Sequence, residues 1–167
     1  EKHLGAGAAI VRAMPNTPAA VGRGISAAVP NANASEKQKT LARTLLSAVG
    51  EVAWVADETL LDAVTALSGS GPAYVFLLVE TMAKAGTAAG LPPDLAMQLA
   101  RATVMGSGEL LRQSHESAEQ LRRNVTSPKG TTEAALNVLM QEGPGGMQDL
   151  LTRAIATATA RSRELAG

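Results

Sequence analysis

Small side chains dominate this sequence and limit how it can build a core. The 167 residues include 32 alanines and 16 glycines, against one Trp, one Tyr and one Phe. Small residues let helix backbones approach closely. They bury little apolar area per residue, however, and buried apolar area is the main source of folding free energy. The sequence therefore predicts that a partner subunit supplies further burial.

The charge and cysteine content exclude several classes of function. Fifteen basic side chains balance fifteen acidic ones, so we expect no nucleic-acid partner. Cysteine is absent and the two histidines, His3 and His115, are far apart, so we expect no metal site. The longest uncharged stretch, residues 63–79, is too short for a usual membrane span and is interrupted by a Gly- and Pro-containing turn. The first residues of the sequence do not have the pattern of a secretory signal. We therefore expect a soluble, cytoplasmic protein that does not bind membranes.

Local patterns divide the chain near residue 57. Short apolar runs predict strands at residues 8–13, 25–29 and 51–55, and the capping pair Ser35 and Gln38 begins a helix that runs to residue 49. Beyond residue 57 all predicted elements are helices, at residues 57–68, 71–90, 93–114, 117–123, 131–142 and 145–165. The sequence thus predicts a mainly α chain that begins with a small α/β part.

Gly5-Ala-Gly7 superficially matches a dinucleotide-binding loop. Ile10 stands in place of the third glycine, and a strand-like run follows. The fingerprint requires a strand, a turn and a helix in that order, so we reject this interpretation.

Three further motifs each allow a ligand or a purely structural interpretation. Met14-Pro-Asn-Thr-Pro18 follows a predicted strand, where open α/β sheets bind ligands, but it also suits a rigid polar turn. Ser68-Gly-Ser-Gly-Pro-Ala73 permits the close approach of a ligand or simply a tight helix corner. Val125-Thr-Ser-Pro-Lys-Gly-Thr-Thr132 leads into a helix N-terminus, whose free amides bind anions such as carboxylates, although ordinary N-capping gives the same pattern.

In this order and spacing, the three motifs resemble those of the pyrroline-5-carboxylate reductases, and the resemblance covers essentially the whole chain. It implies hydride transfer from NADPH or NADH to the ring C=N bond of 1-pyrroline-5-carboxylate, the last step of proline biosynthesis. Residues 1–56 would be the end of a Rossmann-type nucleotide-binding domain, and residues 57–167 an all-helical dimerisation and substrate-binding domain. The chain would then be a fragment, inactive by itself, of a homodimer or a ring of dimers.

The resemblance also implies roles for individual residues. Thr132 is expected to be catalytic, because its hydroxyl would orient the imine nitrogen of the substrate. The expected substrate-binding residues are Asn124, Ser127, Lys129, Gly130, Thr131 and Thr132, and the expected cofactor-binding residues are Met14, Asn16 and Pro72. Lys129 departs from the family, which usually has glycine there. Either the loop needs no special backbone angle at this position, or its shape differs slightly.

Two other classes of function remain open. One is a non-catalytic helical dimerisation module, and the other is a different dehydrogenase that shares a Rossmann-plus-helical plan. The preference between NADP and NAD is not readable, because the residue that contacts the ribose in such enzymes falls outside this sequence. A strand, glycine-rich turn and helix upstream of Glu1 in the intact gene product would favour the enzyme.

Overall fold

The computed structural model describes residues 4–166, which form three strands and a series of helices. In chain order the strands and α-helices are β1 (Val11–Met14), β2 (Gly24–Pro30), α1 (Glu36–Ser47), β3 (Gly50–Trp54), α2 (Leu61–Val64), α3 (Gly71–Ala88), α4 (Pro93–Gln113), α5 (Ala118–Asn124), α6 (Thr131–Leu139) and α7 (Met147–Ala166). Short 3-10 turns lie at Thr17–Val21 and Glu58–Leu60, and a π-helical turn at Thr65–Gly69. The predicted mainly α class is confirmed, because the described residues after β3 contain helices and no strand.

β2 is the middle strand of the sheet. It pairs antiparallel with β1, Val11 opposite Pro30, and parallel with β3, Gly24 opposite Gly50. Its residues from Ser26 to Val29 are buried. A strand, β1, follows the Gly5–Gly7 region without an intervening helix, as the strand-like run in the sequence predicted.

Gly50 allows β3 to begin close against β2. Its φ is +149°, and a Cβ added there would overlap the backbone of Gly24. Only glycine fits that approach without displacing the strands. The sequence places Gly50 at the end of the preceding helix, whereas α1 ends at Ser47 and Gly50 is the first residue of β3.

The helical segment from Glu58 to Gly69 is more irregular than the single helix expected from the sequence. A 3-10 turn, the four-residue α2 and the π-helical turn follow one another before α3 begins at Gly71. Leu61 from this segment packs with Ala27 and Val29 of β2 to form the core of this part of the chain. Near the C-terminus, Ser162 Oγ donates to Asp62 Oδ1 at 2.6 Å, which joins the end of α7 to α2.

The chain divides into two compact units. One comprises Glu1–Pro72 with Ala154–Gly167, and the other Ala73–Arg153. The sequence predicts a boundary at residue 57 between two domains of the family. That boundary is a different division from these two units, and it stays a prediction.

The second unit buries very little of its apolar surface. Within residues 73–153, all of which are described, the buried apolar side chains are Ala83, Ala96 and Ala100. Larger apolar side chains of α3 and α4 are exposed, among them Val75, Phe76, Leu77, Leu95, Leu99 and Met105. The folded second unit therefore has a small hydrophobic core, as the composition predicts, because its large apolar side chains face outward.

One helical stretch, Glu58–Ala88, is long and apolar enough by composition alone to cross a membrane, and 6% of its most apolar window is buried. The sequence suggested no span because the uncharged stretch ends at residue 79 and is interrupted by the Ser-Gly-Ser-Gly-Pro turn at residues 68–72. The helical stretch is longer because it includes a few charged residues. An apolar helix face of this kind suits a subunit interface equally well.

Candidate functional site

The loop between α5 and α6 folds as a tight turn that ends at a helix N-terminus. The amide of Gly130 donates to the carbonyl of Ser127 at 3.0 Å, with Pro128 and Lys129 between them. A Cβ added at Gly130 would lie 3.0 Å from that same carbonyl oxygen, so the chain passes very close to itself here. The turn places Gly130 as the N-cap residue of α6.

The first turn of α6 presents unpaired amides to the loop. Glycine at the N-cap offers no side-chain acceptor, and the first intrahelical bond runs from Ala134 N–H to Gly130 O at 3.2 Å. The amides of Thr131, Thr132 and Glu133 therefore have no acceptor within the helix. The Thr132 side chain is half-buried, while Ser127 and Thr131 are exposed. Amides and hydroxyls at a positive helix end can bind a carboxylate.

Glu133, the third residue of α6, holds the loop in a role that the sequence reasoning missed. Its Oε2 accepts from the backbone N–H of Lys129 at 2.7 Å and thereby fixes the turn from the helix side. The signal was available, because a glutamate at the third helical position is the second half of a capping box. Here the carboxylate reaches one residue further back than in the standard motif.

The structure places Asn124 at the last position of α5, with its amide directed to neighbouring polar side chains. Its Oδ1 accepts from Gln120 Nε2 at 2.7 Å, and its Nδ2 donates to Glu116 Oε2 at 3.0 Å. Thr126, two residues on, donates its hydroxyl to the carbonyl of Arg122 at 2.6 Å. Both side chains hold the end of α5, and the loop proper follows them.

Lys129 adopts a left-handed backbone conformation. Its φ is +59°, and it is the non-glycine residue with positive φ among residues 4–166. Proline followed by a positive-φ residue is the arrangement of a type II turn, which favours glycine at the position of Lys129. The first alternative drawn from the sequence is therefore wrong: the loop does need a special backbone angle, and this chain adopts it with a lysine.

Replacing Lys129 with glycine is expected to stabilise the chain by about 0.5 to 1 kcal/mol. The left-handed conformation costs a non-glycine residue about 1 to 2 kcal/mol, and the greater freedom of glycine in the unfolded chain offsets part of that gain. Thermal unfolding should show a rise in Tm of about 2 °C. Lys84→Gly, at an exposed position inside α3, is the control and should lower the free energy of unfolding by about 1 kcal/mol. A lower Tm for Lys129→Gly would contradict the strain argument.

A second cluster joins the two other motifs within the first unit. Asn16 Oδ1 accepts from the backbone N–H of Ile25 at 2.9 Å, and Asn16 Nδ2 lies 3.4 Å from both the carbonyl O and the Oγ of Ser68. Met14 lies over Gly69, where an added Cβ would come within 2.9 Å of Met14 Cε. The structure thus brings Met14 and Asn16 together with the turn that leads to Pro72 at the start of α3.

The predicted site residues therefore fall into two groups. Met14, Asn16 and Pro72 belong to the first unit, and the residues from Asn124 to Thr132 belong to the second. Each group is internally ordered by the contacts just described.

Comparison with known proteins assigns the helical part of the chain to one family. Residues 58–165 match the family model for pyrroline-5-carboxylate reductase dimerisation. The chain is 44% identical over 155 residues to the pyrroline-5-carboxylate reductase of Pisum sativum, covering 93% of this chain and 55% of that protein.

Solved structures give the same result. A pyrroline-5-carboxylate reductase from Coxiella burnetii superposes with a TM-score of 0.92 at 42% identity, covering 99% of this chain and 60% of the other. The Plasmodium falciparum pyrroline carboxylate reductase, solved with NADP bound, has a TM-score of 0.83 at 31% identity and covers 100% and 62%. The chain thus spans little more than half the length of these relatives. The family match over most of its helices shows that the chain belongs to the pyrroline-5-carboxylate reductase family.

Proposed function

We propose that this chain supplies the helical portion of a pyrroline-5-carboxylate reductase, preceded by the last elements of its Rossmann-type domain. The intact enzyme would reduce 1-pyrroline-5-carboxylate to L-proline with NADPH or NADH, in the cytoplasm. Family membership supports the reaction class. The NADP in the Plasmodium falciparum relative supports the type of cofactor.

The observation that carries this proposal is the helix end at Gly130. Three backbone amides without intrahelical acceptors, the hydroxyls of Ser127 and Thr131, and the charge of Lys129 would together bind the substrate carboxylate. The carboxylate of Glu133 accepts from the Lys129 amide, on the loop side, and not from the amides of the first helical turn. The amides at the helix start then remain for the substrate.

Thr132 would act on the other polar group of the substrate, the imine nitrogen. A threonine hydroxyl is too weak an acid to protonate an imine to any useful extent, so its role is to donate or accept a hydrogen bond that orients the ring. The proton would come from water, or the imine would bind already protonated. Orientation of the imine carbon, which becomes C5 of proline, toward the hydride donor then provides most of the rate enhancement.

The cluster formed by Met14, Asn16 and the turn that leads to Pro72 fits the nicotinamide end of the cofactor. Met14 covers one side of the glycine turn, whereas a Cβ added at Gly71 would meet nothing within 4 Å, so the backbone there is sterically open. A flat ring can approach such a backbone closely, next to the apolar surfaces of Met14 and Pro72. When bound, the reduced nicotinamide supplies the hydride. These residues would set the position of the ring.

The proposed reaction can be tested by isotope transfer in the intact protein. Enzyme supplied with cofactor deuterated at the transferring position and with 1-pyrroline-5-carboxylate should yield proline that carries deuterium at C5. Reactions without enzyme or without cofactor are the controls. Absence of cofactor-dependent proline formation by the folded intact protein would refute the proposed function.

We also propose that the second unit forms a homodimer, and that dimers associate further into a ring. A groove of about 440 Å³ between α3 and α4 is lined by Val75, Phe76, Val79, Met97, Val104 and Met105, with Glu80 and Arg101 beside them. Alanines provide the buried apolar side chains of this unit. An interface of more than about 2,000 Å² would supply the missing burial.

Sedimentation equilibrium of the chain at micromolar concentration is expected to show a dimer. Phe76, which is 62% exposed, should become buried there, so Phe76→Ala is expected to raise the dimer Kd about tenfold, for a loss of about 1.5 kcal/mol. Leu41→Ala is the matched control, because Leu41 is 58% exposed and lies outside the matched dimerisation region. A monodisperse monomer would contradict the assembly.

A further inference from the structure

The carbonyl of Ser68 lacks the partner that a regular helix would give it. In an α-helix this carbonyl would accept from the N–H four residues on, but that residue is Pro72, which has no N–H. The helix responds with a π-helical turn, in which Ser70 N–H donates to the carbonyl of Thr65 at 2.8 Å. Turns of this type are found frequently at functional sites.

The side chain of Asn16 takes over the missing role. Its Nδ2 lies 3.4 Å from both the carbonyl O and the Oγ of Ser68, while its Oδ1 accepts from Ile25 N–H at 2.9 Å. Asn16 is also the N-cap residue of the 3-10 turn Thr17–Val21, yet its side chain makes no capping bond there. Asparagine at this position usually caps its own helix. Here both ends of the amide are used to join β2 to the π-helical turn.

The contact between Met14 and Gly69 makes the packing of the π-helical turn against the sheet sensitive to small shifts of that turn. Met14 Cε lies where a side chain on Gly69 would begin, because an added Cβ would approach it to 2.9 Å. A shift of the π-helical turn would therefore change the surface that Met14 and Gly69 form together. Asn16 is the residue that ties this turn to the sheet on the same side.

We propose that Asn16 is a positioning residue: its amide replaces the helix donor that Pro72 cannot provide and so holds the Ser68–Gly69 backbone against Met14. This inference rests on the proposed function, in which that surface faces the nicotinamide. Asn16 contributes to cofactor binding through the backbone it holds, with its own polar atoms already engaged.

A thermodynamic cycle on the intact protein tests the hydrogen bond itself. Asn16→Ala is expected to lower Tm by about 4 °C. Pro72→Ala restores an N–H four residues after Ser68, so the same Asn16→Ala change should then cost about half as much, the Ile25 amide still being unpaired. Pro93→Ala is the control background, because Pro93 is the first residue of α4, where an N–H has no intrahelical acceptor. Equal losses of Tm in all three backgrounds would overturn the proposal.

Kinetics of the intact protein separate positioning from simple stabilisation. Well below the Tm, Asn16→Ala should raise the KM for the reduced cofactor about tenfold and leave the KM for 1-pyrroline-5-carboxylate within twofold. If that variant does not fold, Asn16→Asp serves instead, because it retains the acceptor for Ile25 and loses the donor to Ser68. A cofactor KM within twofold of the unmodified protein would overturn the assignment. Absence of reductase activity in the unmodified protein would refute the proposed function, and the Tm cycle would still test the Asn16 bond.

Discussion

Thr132→Ala in the intact enzyme is expected to lower kcat/KM for 1-pyrroline-5-carboxylate ten- to a hundredfold, chiefly through kcat. The hydroxyl lies at the second helical position of α6, half-buried beside the unpaired amides. If it donates to the unprotonated imine nitrogen, that bond strengthens as hydride addition to the neighbouring carbon builds negative charge on the nitrogen. A bond to a charged or charging group is worth about 1.5 to 3 kcal/mol, which sets the expected range. Steady-state kinetics with saturating cofactor would measure it.

Neighbouring hydroxyls provide the controls for this prediction. Thr132→Ser retains the hydroxyl and should retain most of kcat. Ser127→Ala should act chiefly on KM, because Ser127 is proposed to bind the carboxylate equally in the ground state and the transition state. Thr126→Ala removes a hydroxyl that donates to the Arg122 carbonyl, and should lower stability with kcat nearly unchanged. Unaltered kcat and KM in Thr132→Ala would mean that the loop serves only to begin its helix.

The long helices were predictable from the sequence because their ends carry strong local signals. α3 and α4 begin at Gly71 and Pro93, each at its predicted start, where proline suits the first turn. The capping pair Ser35 and Gln38 is confirmed, since Gln38 N–H donates to Ser35 Oγ and Gln38 Oε1 accepts from Ser35 N–H. Such signals depend only on residues within one turn of the helix end.

Features that depend on distant partners were not predictable in this way. The π-helical turn reflects both the proline at residue 72 and an asparagine 52 residues before Ser68. The 3-10 turn Thr17–Val21 was missed, because five residues carry no helical period. The left-handed Lys129 was hidden by its identity, since lysine rarely adopts that conformation, although Pro128 before it is typical of a type II turn. Local rules therefore located the candidate loop but did not give its backbone.

The 167-residue chain by itself is expected to show no reductase activity, the largest effect predicted here. Among residues 4–166 no glycine-rich turn joins a strand to a helix, and the sheet has three strands. Dinucleotides bind through their pyrophosphate at such a turn, which supplies the backbone amides and the helix N-terminus. The nicotinamide-side contacts of Met14 and Pro72 would then act without the main source of cofactor affinity. The chain alone should therefore be inactive because it does not bind the cofactor.

Two measurements test the chain alone against the intact protein. Calorimetric titration with NADPH and with NADH should give no saturable binding to the chain and clear binding to the intact protein. At equal molar concentrations of protein subunits, the intact protein should turn over 1-pyrroline-5-carboxylate and the chain alone should not. The chain must first be shown to be folded and dimeric, so that inactivity reports the missing contacts and not an unfolded sample. Saturable turnover by the folded chain would show that the pyrophosphate-binding turn is dispensable, and the cofactor would then have to be held by residues of this chain alone.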